Sequence, residues 1–260
     1  MSRDFLRPHL QDLPYFRALL RAVEARLMRQ VELPPPTLDI GSGDGHFASV
    51  AFERKIEVGV DPAWADTREA QARGAYRSLV LADGAQLPHP DAAFASAFSN
   101  SVLEHVDRLE EVLSEIGRVL RPGALFAIAV PNPGYRSELS IPRILRRVGL
   151  ARLAEAYRDW FMRVTRTVNL FDETGWTQRL QRAGFEVERS LRYFSPEALR
   201  VLEWGHYFGV PSLISRWMTG RWITGPLRWT LGLKHRLLRR HYEQAAPEDG
   251  TYSYYLARKV

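Results

Sequence analysis

The sequence predicts an α/β fold, a doubly wound, mostly parallel, seven-stranded sheet with helices on both faces. Three observations predict it. Short apolar runs recur at strand length, segments of helical spacing separate them, and the first run hands over to a glycine-rich turn, "LDIGSGDGHF" at 38–47. Such alternation requires crossover connections, which leave neighbouring strands parallel and put helices on the two faces of the sheet.

Taken in order, residues 14–31 carry helical spacing and belong to an N-terminal helical cap over 1–35, and Pro34 to Pro36 form a stiff extended lead into the first strand. "TLDIG", "IEVGVD", "RSLVLAD", "AFASAFSN" and "ALFAIAVPN" read as five strands, with "GHFASVAFER" a helix after the first. In "EHVDRLEEVLSEIGRVL", Val106, Leu109, Val112, Leu113, Ile116, Val119 and Leu120 make a helical stripe that Arg121-Pro122-Gly123 is expected to stop. Residues 135–168, arginine-rich and mostly helical in pattern, read as an insertion after strand five that covers a substrate. Asp172 is a good N-cap for a further helix, Gly184 its end, and "FEVERS" the sixth strand. A second helical insertion, 195–248, precedes the last strand, "YSYYLARKV". All of this fits one domain, 1–260.

Composition narrows the chemistry. The absence of cysteine excludes disulfides and thiolate metal sites and fits a reducing compartment; no metal ligand set is read. "MSRDFLRPHLQDLPYF" scatters its charges and has no apolar core, so it is not read as a secretory signal. No apolar run approaches the ~18 residues of a membrane span. The expected location is cytoplasmic, with room for peripheral attachment to the inner face of the cell membrane. A net charge of +6 favours an anionic partner: nucleic acid, anionic lipid or a phosphorylated substrate.

The glycine turn is where function becomes legible. Gly41, Gly43 and Gly45 bare the main chain for close approach to a polar ligand beside a helix start. The dinucleotide fingerprint would place its third glycine where His46 stands, which counts against a nicotinamide cofactor. Acids fall at strand ends: Asp61, 20 residues after Gly41, suits both hydroxyls of a ribose, and Asp83 suits a base edge. That pattern asks for a nucleoside joined to something other than a pyrophosphate.

On these motifs, over roughly residues 36–190, the sequence resembles the class I S-adenosylmethionine-dependent methyltransferases, particularly their type 11 branch. The resemblance implies a Rossmann-like fold and S-adenosylmethionine (SAM) as cofactor. It implies that Asp39, Gly41, Ser42, Gly43 and Gly45 pack against the methionine end, that Asp61 holds the ribose, and that Asp83 with Gly84 lies near the adenine amino group. Asn100 and Ser101 match the segment beside the sulfonium, and "LEHV" at 103–106 is also similar to the family.

Methyl transfer needs an aligned nucleophile and, for a hydroxyl, a base; His105 is the best-placed candidate. It also fits a packed residue at a helix start, since it shares a helical face with Leu109, Val112 and Ile116. "NPGY" at 132–135 resembles the N-P-P-Y of amino-group methyltransferases but follows strand five instead of strand four and lacks the second proline, so it reads as a turn. Residues 204–242 hold four tryptophans, seven Lys or Arg and no acid, a mixture that fits a headgroup interface through Trp217, Trp222 and Trp229, or equally a helical cap. The expected activity is O-methylation of a small-molecule or lipid-linked acceptor, glycan, isoprenoid or quinone-like, at an anionic membrane surface. RNA methylation is disfavoured because the motifs for it are missing. A non-catalytic scaffold is disfavoured by the intact glycine turn, and the oligomeric state is left open.

Overall fold

The computed structural model describes residues 3–208 and 228–260. A seven-stranded sheet runs in the order β3-β2-β1-β4-β5-β7-β6. Its first five strands are β1 (Thr37–Ile40), β2 (Ile56–Asp61), β3 (Tyr76–Leu81), β4 (Phe94–Asn100) and β5 (Leu120–Pro131), all parallel to their neighbours among these five. β6 (Phe185–Tyr193) and β7 (Tyr252–Lys259) complete it, β7 lying antiparallel between β5 and β6. The chain reverses direction across the sheet between β1 and β4. That switch point is where open parallel sheets hold ligands.

β1 is buried at all four positions because it pairs on both edges and is covered on both faces. The period-2 alternation of strand side chains builds two cores. Phe98, Ala127 and Tyr254 point into one, with Leu19 and Val23 of the N-terminal helices; Phe126 and Tyr255 point into the other, with Val112, Ile116 and Trp176. Each fully buried ring or branched chain contributes about 1.5–3 kcal/mol of apolar transfer.

The helices are α1 (Leu6–Asp12), α2 (Tyr15–Met28), α3 (His46–Ala51), α4 (Trp64–Arg73) and α5 (Leu109–Val119), then α6 (Gly134–Ser137), α7 (Ser140–Arg147) and α8 (Ala151–Val164) in the first insertion. α9 (Glu173–Arg182) precedes β6; α10 (Pro196–Phe208) and α11 (Arg228–Tyr242) belong to the second insertion. Asp172 caps α9 by accepting the Gly175 N–H at 2.8 Å, and Gly184 leaves it at φ +82°, as the sequence leads one to expect. α5 ends at Val119, just ahead of Arg121-Pro122-Gly123, where the sequence leads one to expect a stop. One boundary differs: Leu120 already pairs with Phe94, so β5 begins before Ala124 and takes in that tripeptide.

The two insertions are tied together. Buried Glu203 on α10 accepts the Ser140 N–H and Oγ–H, both at 2.6 Å, and the Ile141 N–H at 3.1 Å, satisfying donors at the start of α7. α10 and α11 pack on the cap formed by α1 and α2. Of the aromatic and basic residues read in 204–242, Arg216, Trp217, Arg221 and Trp222 lie outside the described residues, as do the side chains of Arg228 and Trp229. Among the described residues, no helix is long and apolar enough to cross a membrane.

Candidate active site

The glycine turn stands at the carboxyl end of β1, anchored sideways: Gly41 and Ser42 both donate their N–H to Val60 O of β2, at 2.8 and 3.0 Å. Gly41 sits at φ +77°, and a Cβ there would stand 2.4 Å from Val102, so only glycine fits between the turn and the segment after β4. Gly43 faces open space. Asp61 ends β2 and turns its carboxylate back to the loop, accepting Gly43 N–H at 2.9 Å with one oxygen and Ala63 N–H at 2.8 Å with the other. Each oxygen keeps a second lone pair for a ligand hydroxyl.

These residues wall a cavity of about 940 Å³ together with Asp39, Asn100, Ser101 and His105. Burial pushes the Asp39 carboxyl up to about 7, although it accepts the Tyr76 hydroxyl at 2.6 Å; the charge of Asp61 pushes the same way. Asp83 and Gly84 do not line this cavity. Asp83 is half exposed, accepts the Ala85 N–H at 2.9 Å and pairs with Arg108, which together hold its carboxyl below the usual range. Gly84 packs on Val112.

The turn after β4 is braced from the N-terminal cap. Glu24 of α2, completely buried, accepts Asn100 Nδ2–H at 2.8 Å, Ser101 Oγ–H at 2.6 Å and the Tyr193 hydroxyl at 3.2 Å, and pairs with Arg21 at 2.9 Å. Arg21 also donates to Asn100 O at 3.1 Å. Ser101 is held at φ +51°, a left-handed conformation that costs a non-glycine residue about 1–3 kcal/mol and persists because the bracing over-determines it. Sequence reading missed Glu24 and Arg21. Their signal is an acid inside a run of buried small and apolar residues, Ala22-Val23-Glu24-Ala25, with an arginine three positions earlier on the same helix face.

Next to the first cavity lies a second, of about 250 Å³, lined by Phe16, Leu20, Pro131, Tyr135, Leu202 and Tyr252, with Glu104 and His206 among its polar groups. Arg17, Arg21, Ser101 and His105 line both. His105 stands in a single 3-10 turn, Leu103–His105, ahead of α5, so it does not share that helix's buried stripe. Its Nδ1 lies 2.9 Å from Arg166 O; a carbonyl accepts, so Nδ1 carries the proton and Nε2 presents its lone pair. Partial desolvation and nearby arginines lower the His105 pKa from its ordinary value, against the hydrogen bond to Arg166 O, which raises it. The turn is itself fastened to the end of the first insertion, Asn169 Nδ2–H donating to Leu103 O at 2.8 Å and Val106 O at 2.6 Å. "NPGY" forms the turn the sequence suggests: Asn132 accepts Gly134 N–H at 2.8 Å, and Tyr135 becomes a buried wall of the second cavity.

The model of the methyltransferase-domain family matches residues 12–190, more than half of the chain, spanning the glycine turn, Asp61 and the turn after β4. The chain belongs to the class I S-adenosylmethionine-dependent methyltransferase family. A Mycolicibacterium smegmatis protein named for SAM-dependent methyl transfer is 29% identical over 177 residues, 65% of this chain and 59% of its own length. The malonyl-[acyl-carrier protein] O-methyltransferase of Serratia marcescens is 34% identical over 125 residues, 47% of this chain and 49% of that one. The matched part of the chain thus spans 49–59% of these relatives' own length. Among solved structures, a SAM-dependent methyltransferase from Thermotoga maritima superposes with a TM-score of 0.59 at 18% identity, covering 95% of this chain and 91% of that one. The geranyl diphosphate C-methyltransferase of Streptomyces coelicolor, in complex with S-adenosylhomocysteine, does so at 0.52 and 16%, covering 91% and 75%.

The walls of the methyltransferase's larger cavity fit SAM. Ser42 Oγ and Asn100 Oδ1 are buried there without partners, Gly43 leaves room for close main-chain approach, and Asp61 keeps acceptor capacity for a ribose.

Proposed function

We propose that this methyltransferase acts on an oxygen of a small-molecule or lipid-linked acceptor, glycan, isoprenoid or quinone-like, at or near an anionic membrane surface. In this reading Asp39, Gly41, Ser42, Gly43 and Gly45 hold the methionine end, Asp61 the ribose, and Asn100 and Ser101 the sulfonium side. The observation that carries it is the shared wall: Ser101 and His105 face both cavities, so an acceptor in the smaller one meets the cofactor beside an imidazole whose Nε2, 3.7 Å from Glu104 Oε1, presents its lone pair for a proton. Bound SAM supplies a methyl group on a sulfonium, which leaves by displacement. The chain's own work is to align the hydroxyl, to exclude water and to receive its proton at His105 Nε2. Alignment supplies up to ~7–11 kcal/mol and the base ~10²–10⁴ in rate.

The apolar lining favours an organic acceptor over an inorganic ion. Two relatives point the same way by name, one acting on a carrier-bound malonyl group through oxygen, the other on an isoprenoid diphosphate. The first insertion, 135–168, serves as the lid, its Tyr135, Thr165 and Thr167 closing the acceptor cavity. On α11, Leu233 and Leu237 stay exposed beside Arg236 and Arg240, which supports a membrane-facing role for the second insertion. The test is incubation of the protein with cell extract and isotopically labelled SAM, followed by mass spectrometry of separated lipid, aqueous and RNA fractions. Label in a lipid or small-molecule ether is expected; label confined to RNA overturns the acceptor class.

A further inference from the structure

The two sides of the first insertion differ in kind. Inward, Tyr135, Thr165 and Thr167 wall the acceptor cavity, and Phe161 is buried beneath them. Outward, Ile144, Val148, Leu150, Leu153, Trp160 and Val164 are 41–64% exposed. On α8, Leu153, Trp160 and Val164 follow one another at intervals of seven and four, which is one helical face. Ile144 and Val148 stand one turn apart at the end of α7, which packs against α8, with Leu150 in the link between them. Scattered single apolar side chains are ordinary on a surface; six on one helical pair make a patch that calls for a partner.

The charges say which partner. Residues 140–168 hold seven arginines and two acids. Both acids are spoken for: Glu155 pairs with Arg136, Arg146 and Arg158, and Asp159 with Arg136. Arg147, Arg152 and Arg163 are exposed beside the apolar stripe, and their side chains make no ion pair or hydrogen bond among the described residues. Trp160 stacks on Tyr207 of α10, ring centroids 6.1 Å apart, and so sets an amphipathic ring pair at the rim. Apolar side chains flanked by uncompensated arginines and aromatic rings match the boundary between acyl chains and anionic headgroups.

We infer that the outer face of α7 and α8 seats on an anionic phospholipid bilayer, so that the segment which walls the acceptor cavity is also the one that touches the lipid. The inference rests on the lipid-linked acceptor reading and adds residues 144–164 of the first insertion to the membrane contact proposed for the second. Leu150, Leu153 and Val164 enter the acyl boundary, and the three arginines meet headgroup phosphates.

The test is co-sedimentation of the full chain with sucrose-loaded vesicles of phosphatidylcholine alone and of phosphatidylcholine mixed with phosphatidylglycerol. Two variants accompany it, R147Q/R152Q/R163Q and V148E/L153E, both on exposed positions and both checked for folding by calorimetric binding of S-adenosylhomocysteine. The wild type is expected to bind the mixed vesicles, to release them at high salt, and to leave neutral ones largely unbound. The arginine variant should partition on the order of 100-fold more weakly, and the glutamate variant should not bind. Absence of wild-type binding, or binding by both variants equal to wild type, overturns the assignment, as does a face that changes only the oligomeric state in sedimentation velocity. Intact cofactor binding in these samples separates failure of the surface from failure of the methyltransferase site.

Discussion

Glu24 accepts a hydrogen bond from Ser101 Oγ at 2.6 Å, which fixes helix α2 to the residue where the cofactor and acceptor cavities meet. Because that carboxylate is fully buried and also pairs with Arg21, its removal leaves an uncompensated guanidinium and three unsatisfied donors. Glu24→Ala should cost about 3–5 kcal/mol in urea unfolding. Glu24→Gln, which keeps the shape, should cost less but still weaken S-adenosylhomocysteine binding, since Ser101 loses the brace for its left-handed backbone. Wild-type affinity in a folded Glu24→Gln variant would show that the brace is not needed for the site.

His105→Gln should lower kcat by about 10² or more while leaving cofactor affinity unchanged, because the proton is taken only after both ligands are bound. The wild-type rate should carry a rising limb with pH at a pKa below the ordinary 6.5 of histidine, since burial lowers it, and be level above neutrality. The variant should lack that limb. Near-normal turnover would leave alignment alone as the catalytic effect.

Glu104 gives a stability signature with a definite sign. Burial pushes its carboxyl up to about 8, and one oxygen has no partner. A folded pKa above the ordinary 4.5 means that its contribution is complete below that value and is lost as pH rises through about 8. Asp39, raised to about 7, adds a slope of the same sign over the lower part of that range. Each group yields at most about 1.4 kcal/mol per pH unit. The ligand-free protein should therefore melt at a lower temperature near pH 9 than near pH 6, and Glu104→Gln should flatten much of the difference in scanning calorimetry. An unchanged slope would place the titration elsewhere.

Most of the sheet was legible because short apolar runs and glycine turns are local signals: all seven strands, the Asp172 cap and the turn at Asn132 lie where the sequence suggests. What was not legible is non-local. The orientation of His105 depends on a carbonyl 61 residues away in the first insertion, and the bracing of Asn100 and Ser101 on a glutamate about 76 residues earlier. Asp83 reads as a base-binding acid because it follows a strand, yet Arg108, 25 residues on, engages it outside the cavity. Spacing along the chain locates strand ends; it does not reveal which partners reach them.

The central claim is that the glycine-turn cavity binds SAM with Asp61 holding the ribose. The most direct measurement is isothermal titration of S-adenosylhomocysteine into wild type, Asp61→Ala and Asp83→Ala. The wild type should bind with one site per chain. Asp61→Ala should lose about 1–3 kcal/mol, because ribose hydroxyls and two main-chain N–H groups lose their acceptor. Asp83→Ala, whose half-exposed carboxylate is engaged by Arg108, should lose less than about 1 kcal/mol. No binding by the wild type, or unchanged affinity in Asp61→Ala, would contradict the assignment.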